Sequence, residues 1–320
     1  MPQGLGLWAQ TGGSFWLPPP EATSAYVVDA VFKLVLAIAA FFFLLIVVLT
    51  VLFVILYRRR EGVEPGATAS HNTPLEVVWT AIPVAIVVAV FYFGFTGYMD
   101  LRQAPPNAYE VRVTAKKWSW LFTYPNGYAS DVLHVPVDRP IRLTMTSEDV
   151  IHSFYVPLFR IKQDVVPGRY TTTWFRALKP GEYDLYCAEY CGTEHSAMLS
   201  KVKVHEAGAF EAFLENEVKR LATASPREMG EILYRRQGCG ACHSADGSAR
   251  TGPTFKGVYG QTHQFSNAAP TAVDDNYIRE SILEPMKKIR SGYSAVMPTY
   301  KGRLKDEEIT ALIEYIKSLK

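Results

Sequence analysis

The stretch CAEYCGTEHSAM, at residues 187–198, combines two thiols, an imidazole and a thioether within twelve positions. Its candidate ligands are Cys187, Cys191, His195 and Met198. Thiolate and thioether are soft ligands that favour copper, and imidazole binds copper in both oxidation states. The stretch therefore predicts a redox-active copper site.

Two other chemistries remain open for this stretch. A structural zinc ion accepts cysteine and histidine, although zinc sites seldom include methionine. A disulfide between Cys187 and Cys191 is the second alternative, since the four cysteines of the chain form two close pairs. Neither alternative gives Met198 a role.

Strand-like segments precede and follow this stretch. From Tyr109 onward, apolar and polar residues alternate as a half-buried strand requires. Similar runs, separated by proline, glycine and aspartate, cover residues 141–146, 170–175, 182–186 and 199–204. Residues 107–205 are therefore predicted to form a small antiparallel β sandwich or barrel.

The second cysteine pair lies in CGACH, residues 239–243. Cys-x-x-Cys-His is the attachment sequence of c-type haem, with two thioether links and a proximal histidine. Cys239, Cys242 and His243 are therefore predicted to bind haem c. A zinc knuckle or a redox dithiol is the alternative, but the following residues supply no second metal-binding pair.

A second axial haem ligand is expected later in the chain. Met297 is favoured because it follows a glycine-containing loop, and pairing methionine with histidine raises the haem potential. Met286 is the alternative, but it directly follows Pro285 at the end of a predicted helix. The haem-binding segment is predicted to be helical from residue 226, since SPRE at residues 225–228 supplies an N-cap, a first-turn proline and a capping-box glutamate.

Two apolar blocks lie near the N-terminus. Residues 34–57 and 77–99 contain no charged residue, and helices of this length, predicted at about 30–57 and 75–99, span a bilayer core of about 30 Å. Three arginines follow the first block at residues 58–60, and no lysine or arginine precedes Lys33. The positive-inside rule then places the connecting loop in the cytoplasm and both termini outside. No cleavable signal peptide is evident, because the first residues lack a basic segment and a sufficient apolar run.

The length of 320 residues allows several domains. We predict an N-terminal tail with a transmembrane hairpin (1–106), a β domain (107–205), a linker of helix-compatible composition (206–225) and a haem-binding domain (226–320). The formal net charge of +2 is too small to indicate nucleic acid as a partner.

The spacing Cys-x-x-x-Cys-x-x-x-His-x-x-Met resembles the CuA loop of cytochrome c oxidase subunit II, and residues 226–320 resemble a small cytochrome c. The combination resembles a caa-type haem-copper oxidase, whose subunit II carries a fused cytochrome. The resemblance implies a multidomain membrane protein with a two-helix transmembrane hairpin, a cupredoxin-like antiparallel β barrel and an all-α class I cytochrome c domain.

The resemblance also implies a ligand set for a binuclear copper centre. Two thiolates bridge the coppers, an imidazole and the thioether complete one copper, and an imidazole with a backbone carbonyl completes the other. The implied bridging thiolates are those of Cys187 and Cys191. One copper is then completed by His152 and Met198, and the other by His195 and the carbonyl of Glu189. The Glu189 side chain is further implied to reach a magnesium ion at the contact with the catalytic subunit.

Other positions match the family outside the ligand set. In WSWLFTY, residues 118–124, Trp118 is implied as the surface point at which electrons enter, with Trp120 beside it; packing in the β domain is the alternative. Glu76 corresponds to a glutamate near the mouth of a proton channel, although interfacial carboxylates at helix ends are common. Pro253 is implied to pack beside His243 and to orient its ring through the carbonyl. The remaining histidines (His71, His134, His205 and His263) are assigned no ligand role.

The implied function is electron input to a terminal cytochrome c oxidase, an oxidoreductase that pumps protons. Electrons pass from haem c through Trp118 to CuA and on to a haem-copper catalytic subunit I, which reduces oxygen to water. Further expected partners are a subunit III, membrane lipid and an external donor such as a cytochrome c or a quinol-oxidising complex. The expected location is the bacterial plasma membrane, with both redox domains on the outer, periplasmic side.

Fusion on a flexible tether is expected to raise the effective concentration of the cytochrome to roughly the millimolar range, so that docking needs no strong opposite charges. Residues 107–205 carry 12 basic and 10 acidic side chains and residues 226–320 carry 14 and 11, so the two domains lack opposite fields. The alternatives are the corresponding subunit of a CuA-containing nitric oxide reductase and a membrane-anchored electron carrier. A copper chaperone would not need a haem, and the intact copper ligands disfavour a quinol oxidase.

Overall fold

The structure is a computed structural model that describes residues 13–62 and 70–320. The predicted N-terminal tail, for which no signal peptide is expected, begins in residues 1–12, and these lie outside the described residues, as do residues 63–69 of the loop between the apolar blocks. Along the described chain, a helical hairpin is followed by a sheet domain and then by a helical domain.

The hairpin consists of α1 (Thr23–Tyr57) and α2 (Thr73–Arg102). Both helices are long and apolar enough to cross a membrane, and the side chains of their most apolar segments are not buried against the rest of the protein. Both extend beyond the predicted limits. The start of α2 is fixed by Asn72, whose side chain accepts a hydrogen bond from the backbone N–H of Leu75.

Polar residues near the start of α1 are helical because the sheet domain binds them. The guanidinium of Arg160 donates to both carboxylate oxygens of Asp29, at 2.9 and 3.1 Å, and both side chains are nearly buried. The Ser24 hydroxyl donates to the carbonyl of Phe159 at 2.6 Å. The apolar pattern alone therefore placed the start of α1 too late, near residue 30.

The sheet domain contains two five-stranded sheets, in the orders β3-β2-β1-β5-β8 and β4-β10-β9-β6-β7. Its strands are β1 (Tyr109–Lys116), β2 (Ser119–Thr123), β3 (Ala129–Ser130), β4 (Leu133–Pro136), β5 (Pro140–Ser147), β6 (His152–Val156), β7 (Ile161–Val165), β8 (Thr171–Arg176), β9 (Gly181–Cys187) and β10 (Leu199–His205). Alternate side chains point inward, as Val111, Val113 and Ala115 do on β1, and meet the aromatic rings of Trp120 and Phe154 in one core.

The predicted fold class is confirmed, with one departure from a purely antiparallel barrel. β1 pairs with β5, and β4 with β10, in parallel. All five predicted strand segments are strands, and β2, β3, β4, β6 and β7 were not predicted. These five strands are two to five residues long, and β4 is buried at every position, so that it shows no alternation.

The helical domain contains α4 (Pro226–Arg236), α5 (Cys239–Cys242), α6 (Asp275–Leu283) and α7 (Asp306–Ser318), with a short hairpin of β11 (Thr262–His263) and β12 (Thr271–Ala272). The predicted capping box at Ser225 and Glu228 is present. Helices α4 and α7 cross in direct contact, because a Cβ on Gly230 would lie only 2.0 Å from the carbonyl oxygen of Ala311. The apolar side chains of α6 and α7 form most of the core.

The segment between the two domains is a helix, α3 (Ala209–Thr223), as its composition predicted. It is not a free tether, since Phe210 and Leu214 are buried in the core of the sheet domain. Phe210 packs edge-on against Tyr109 at 5.4 Å between ring centres. The covalent connection to the helical domain therefore starts from a fixed surface.

Two histidines that were assigned no role form a pair beneath α3. The Nδ1 atom of His134 lies 3.0 Å from Nε2 of His205, and Phe213 of α3 stacks on both rings at 4.3 and 4.6 Å. Burial lowers the pKa of His134 to about 3, assisted by His205 and by the charge of Lys203. Burial and Lys203 also lower the pKa of His205.

This pair predicts a dependence of stability on pH. Because the folded pKa of His134 lies below its ordinary value of about 6.5, the unfolded chain binds more protons, and the free energy of unfolding falls as pH drops below about 6.5. One such group contributes at most about 1.4 kcal/mol per pH unit. We expect His134→Phe to flatten the urea midpoint of the sheet domain between pH 7.5 and pH 5, while substitution of the exposed His71 leaves it unchanged. Equal pH profiles in wild type and His134→Phe would contradict this assignment.

Candidate copper and haem centres

The predicted copper ligands meet at one end of the sheet β4-β10-β9-β6-β7. His152 begins β6, Cys187 ends β9, and Met198 directly precedes β10. Antiparallel pairing of Phe154 with Cys187 brings β6 and β9 together at this end. A loop with a 3₁₀ turn at His195–Ala197 connects β9 to β10 and carries the remaining ligands.

The donor atoms lie within a few ångströms of one another. The sulfur of Cys187 is 3.9 Å from the Cys191 sulfur, 3.9 Å from Nδ1 of His152 and 3.3 Å from the carbonyl oxygen of Glu189. The Cys191 sulfur is 3.5 Å from Nδ1 of His195 and 3.9 Å from the Met198 sulfur. The side chains of His152, His195 and Met198 and the carbonyl of Glu189 therefore surround the two thiols, as predicted.

Asp149 orients the imidazole of His152 from the side of the ring opposite the thiols. Nε2 of the imidazole donates to a carboxylate oxygen of Asp149 at 2.9 Å, because a carboxylate can only accept. Nδ1 therefore faces the thiols: it can donate to a thiolate while the imidazole is protonated, and it offers its lone pair to a metal once that proton is lost. The same carboxylate group accepts from the backbone N–H of Lys117 at 2.8 Å.

The two thiols differ in acidity. Burial raises the pKa of Cys187, but hydrogen bonds from His152 and from the backbone at Ser153 and Glu189 outweigh it and lower the pKa to about 6. Burial and the neighbouring Cys187 raise the pKa of Cys191 to about 12. One thiolate is thus available at neutral pH, and a bound cation would favour loss of the second proton.

The donor set fits copper. The sulfurs of Cys187 and Cys191 are too far apart for a disulfide, whose S–S bond is about 2.05 Å. Met198 is fully buried, and its sulfur faces Cys191, so a soft thioether belongs to the site. Zinc sites seldom include a thioether, so this ligand favours copper over zinc. Two thiolates at this separation, two imidazoles, a thioether and a carbonyl can hold two copper ions.

The predicted haem attachment motif forms the short helix α5, and His243 follows it directly. The Nδ1–H of His243 donates to the carbonyl of Pro253 at 2.7 Å, as predicted, and this leaves Nε2 free to bind iron. Phe255 stacks on the imidazole at 4.6 Å between ring centres. The proximal ligand is therefore held in one orientation.

A cavity of about 370 Å³ opens beside His243, where the predicted haem would lie. Cys239, Cys242, Met286 and Met297 all line it. Met297 is half-buried and packs against the core of the helical domain, whereas the side chain of Met286 is largely exposed. This difference favours Met297 as the second axial ligand, which stays a prediction.

Gly252 is required for the position of His243. A Cβ on Gly252 would lie 2.7 Å from Cε1 and 2.9 Å from Nδ1 of the imidazole. We expect Gly252→Ala to displace the ring, to disturb the axial-ligand spectrum of the haem, and to destabilise the helical domain by about 1–3 kcal/mol. Thermal unfolding and the optical spectrum check this, with Gly94→Ala as control because nothing lies within 4 Å of that position. An unchanged spectrum and melting temperature would contradict the tight fit.

The wall of the haem cavity includes residues of the sheet domain. Trp118 lines it together with Lys116, Lys117 and Asp149. The indole N–H of Trp118 donates to the carbonyl of Cys191 at 3.2 Å, and its ring lies against Gly192, where a Cβ would be only 3.1 Å away. One aromatic ring therefore contacts the copper loop and borders the haem cavity.

The other predicted residues lie at different depths. Trp120 is buried in the core, with its ring 6.2 Å from that of His152, as the packing interpretation expected. Glu76 lies in the first turn of α2, and its carboxylate accepts from the backbone N–H of Asn72 at 3.1 Å. Glu189 is exposed. Trp118 is only 9% exposed, and it borders the haem cavity, so the surface on which electrons were predicted to enter is largely covered.

Sequence reasoning missed Asp149 and Lys116. Asp149 had a usable signal, since it lies three residues before His152 on the turn that leads into β6. Lys116 had none, because its partners are far away in the sequence. Asp149 orients a predicted ligand, and Lys116 lies in the contact between the two domains.

Comparisons with known proteins agree with this organisation. The family described as "Cytochrome C oxidase subunit II, transmembrane domain" matches residues 11–96, the family described as "Cytochrome C oxidase subunit II, periplasmic domain" matches residues 122–205, and the family "Cytochrome c" matches residues 228–320.

Individual relatives cover much of the chain. A protein of Thermostichus vulcanus named cytochrome c oxidase subunit 2 is 33% identical over 286 residues, which include 68% of this chain and 87% of that protein. A protein of the same name from Synechocystis is 33% identical over 59% of this chain and 72% of that protein. Among solved structures, the periplasmic domain of subunit II of the cytochrome oxidase of Bradyrhizobium japonicum is 31% identical, with a TM-score of 0.35 over 37% of this chain and 99% of that chain.

Proposed function

Because this chain belongs to the cytochrome c oxidase subunit II family and carries a C-terminal cytochrome c domain, we propose that it is the electron-input subunit of a caa-type terminal oxidase. It receives electrons at the cytochrome domain and passes them through Trp118 to the copper site. From there they leave to the haem-copper catalytic subunit, which reduces oxygen to water. The chain itself makes and breaks no substrate bond.

The observation that carries this proposal is the position of Trp118. Its ring borders the haem cavity, and its N–H donates to the backbone of the copper-loop residue Cys191. A single buried side chain thus connects the surroundings of the two centres. Each group supplies one-electron redox chemistry when bound, and the surrounding residues have only to hold it and to limit rearrangement around it.

The chain's own residues are assigned the following parts. Asp149 fixes the tautomer of His152, and Pro253 fixes that of His243. Burial of the donor atoms excludes water from the copper site, since Cys191, His152 and Met198 are at most 3% exposed. The ligand assignments are His152, Cys187, Glu189, Cys191, His195 and Met198 for copper, and Cys239, Cys242, His243 and Met297 for haem c.

We further propose how the chain is anchored in the membrane, which subunits it contacts and what donates electrons to it. The chain is anchored in the bacterial plasma membrane by α1 and α2, with both redox domains on the periplasmic side. It docks on subunit I and a subunit III, with a magnesium ion held by Glu189 and a proton-channel mouth near Glu76. The donor is a cytochrome c or a quinol-oxidising complex. The division into 1–106, 107–205, 206–225 and 226–320 belongs to the same proposal.

Purification of the chain in mild detergent, with its associated subunits, tests this function. We expect a haem-copper subunit to copurify and the complex to consume oxygen when its haem c is reduced. Consumption of nitric oxide but not of oxygen would instead identify a nitric oxide reductase. A chain that carries both cofactors and copurifies with no catalytic subunit would be a membrane-anchored electron carrier.

A further inference from the structure

Lys116 ends β1, two residues before Trp118, and its ammonium lies in the contact between the sheet and helical domains. Nζ donates to Oε1 of Gln237 at 2.9 Å. Gln237 is the C-terminal cap of α4 and lies two residues before Cys239. One hydrogen bond therefore joins the strand end that leads to the indole with the turn that carries the haem-attachment cysteine.

The acceptor side of this bond is held in place. The buried hydroxyl of Tyr300 donates to the backbone carbonyl of Gln237 at 3.0 Å, and the Lys116 ammonium lies 5.8 Å from the centre of the Tyr300 ring. Burial lowers the pKa of Lys116, opposed by the charge of Glu148. Withdrawing an ammonium from water is costly unless it is bound, so this side chain is committed to the contact between the domains.

Close to Lys116, the backbone at Gly238 lies against the side chain of Ser119. Gly238 has φ +72°, and a Cβ on it would lie 2.4 Å from the hydroxyl oxygen of Ser119. At the rim of the same contact, Arg303 pairs with Glu148 at 3.0 Å, but both side chains are well exposed, so that this ion pair is weak in water. The bond between Lys116 and Gln237 is better shielded than this ion pair, as is the hydrogen bond that the Thr251 hydroxyl donates to the Glu194 carboxylate on the copper loop.

Resting on the proposed function and deepening it, we infer that Lys116 is the positioning residue that holds the haem-attachment turn against Trp118 in one fixed arrangement. The cytochrome domain is then a docked partner, and transfer does not wait for a search on a tether. This replaces the expectation of a flexible tether, because α3 also packs on the sheet domain through Phe210 and Leu214. Contact across the domains relies on specific hydrogen bonds, among them that of Lys116, and not on opposite net charges.

Two measurements on the full-length protein with both cofactors test this inference. The first is the rate of haem-to-copper transfer after one electron is injected by a light flash. The second is amide hydrogen exchange of residues 116–120 and 237–242, which reports docking whether or not transfer occurs. We expect Lys116→Met to slow transfer on the order of 10-fold, the scale of a hydrogen bond to a charged group, and to speed exchange in both segments. Lys116→Arg should restore part of both effects.

Matched variants separate positioning from general damage. Gln237→Leu removes the same bond from the other side, so the double variant should be no slower than the slower single one. Lys201→Met removes an exposed lysine of β10, with half of its side chain accessible, and should change nothing. If Lys116→Met loses its copper signal, Gln237→Leu carries the test.

The outcomes are distinguishable. Suppose that the wild type transfers electrons and that Lys116→Met and Gln237→Leu both keep its transfer rate and its amide exchange. This result would overturn the role of Lys116 and leave the proposed function intact. Absence of transfer in the wild type would overturn the proposed function, and accelerated exchange in both variants would still support Lys116 as the residue that docks the domains.

Discussion

Replacing Cys187 by serine is expected to remove the binuclear copper centre completely while the haem remains attached. Cys187 lies at the middle of the site, within 3.9 Å of Cys191, His152 and the Glu189 carbonyl, so its loss would remove the thiolate that the proposed ligand set shares between the two copper ions. A serine hydroxyl is a hard, protonated donor at neutral pH and a poor substitute for a thiolate. Copper analysis and the paramagnetic resonance spectrum measure the loss.

The second cysteine pair provides the control. Cys242→Ser should weaken haem attachment and leave the copper spectrum unchanged, because α5 belongs to the helical domain. Retention of two coppers with an unchanged spectrum in Cys187→Ser would contradict the ligand assignment. Zinc in the wild-type protein in place of copper would do the same.

Replacing Trp118 by leucine is expected to slow haem-to-copper transfer on the order of 100-fold, the scale of loss that follows when reacting groups are no longer held in contact. The indole lies against Gly192 and donates to the Cys191 carbonyl, and leucine provides neither the N–H nor the ring. Both cofactor spectra should stay essentially unchanged, because Trp118 holds no metal. Flash-induced transfer in the purified variant measures the effect.

Trp174 offers a matched control for this substitution. It lies on β8, at the edge of the sheet β3-β2-β1-β5-β8, where its indole N–H donates to the carbonyl of Asp100 at the end of α2. Trp174→Leu should therefore leave the transfer rate close to that of the wild type. Equal rates in Trp118→Leu and wild type would remove Trp118 from the path and with it the observation on which the proposed function rests.

The parts of the molecule that followed from the sequence are those encoded in short stretches. Cys187, Cys191, His195 and Met198 all lie in or beside one loop, and the haem attachment motif lies within one turn. The residues that act together in each site are therefore close in the sequence. The capping box at Ser225 is local in the same way. Chemistry that is written in a few adjacent residues can be predicted without a fold.

The parts that did not follow depend on residues distant in the sequence. Lys116 meets Gln237 across 121 positions, and His134 meets His205 across 71. Such pairs form only after two strands or two domains are brought together, and no periodicity marks them. The parallel pairing of β1 with β5 has the same origin, because hydrophobic alternation fixes which side chains point inward but not which strand lies alongside.

Time-resolved transfer within the purified chain tests the central claim most directly. One electron is injected into the haem by a light flash, and the haem and copper absorptions are followed together. We expect haem oxidation and copper reduction to share one first-order rate, independent of protein concentration and of salt, because the two domains are already docked. A haem that stays reduced, or a rate that rises in proportion to protein concentration, would contradict it.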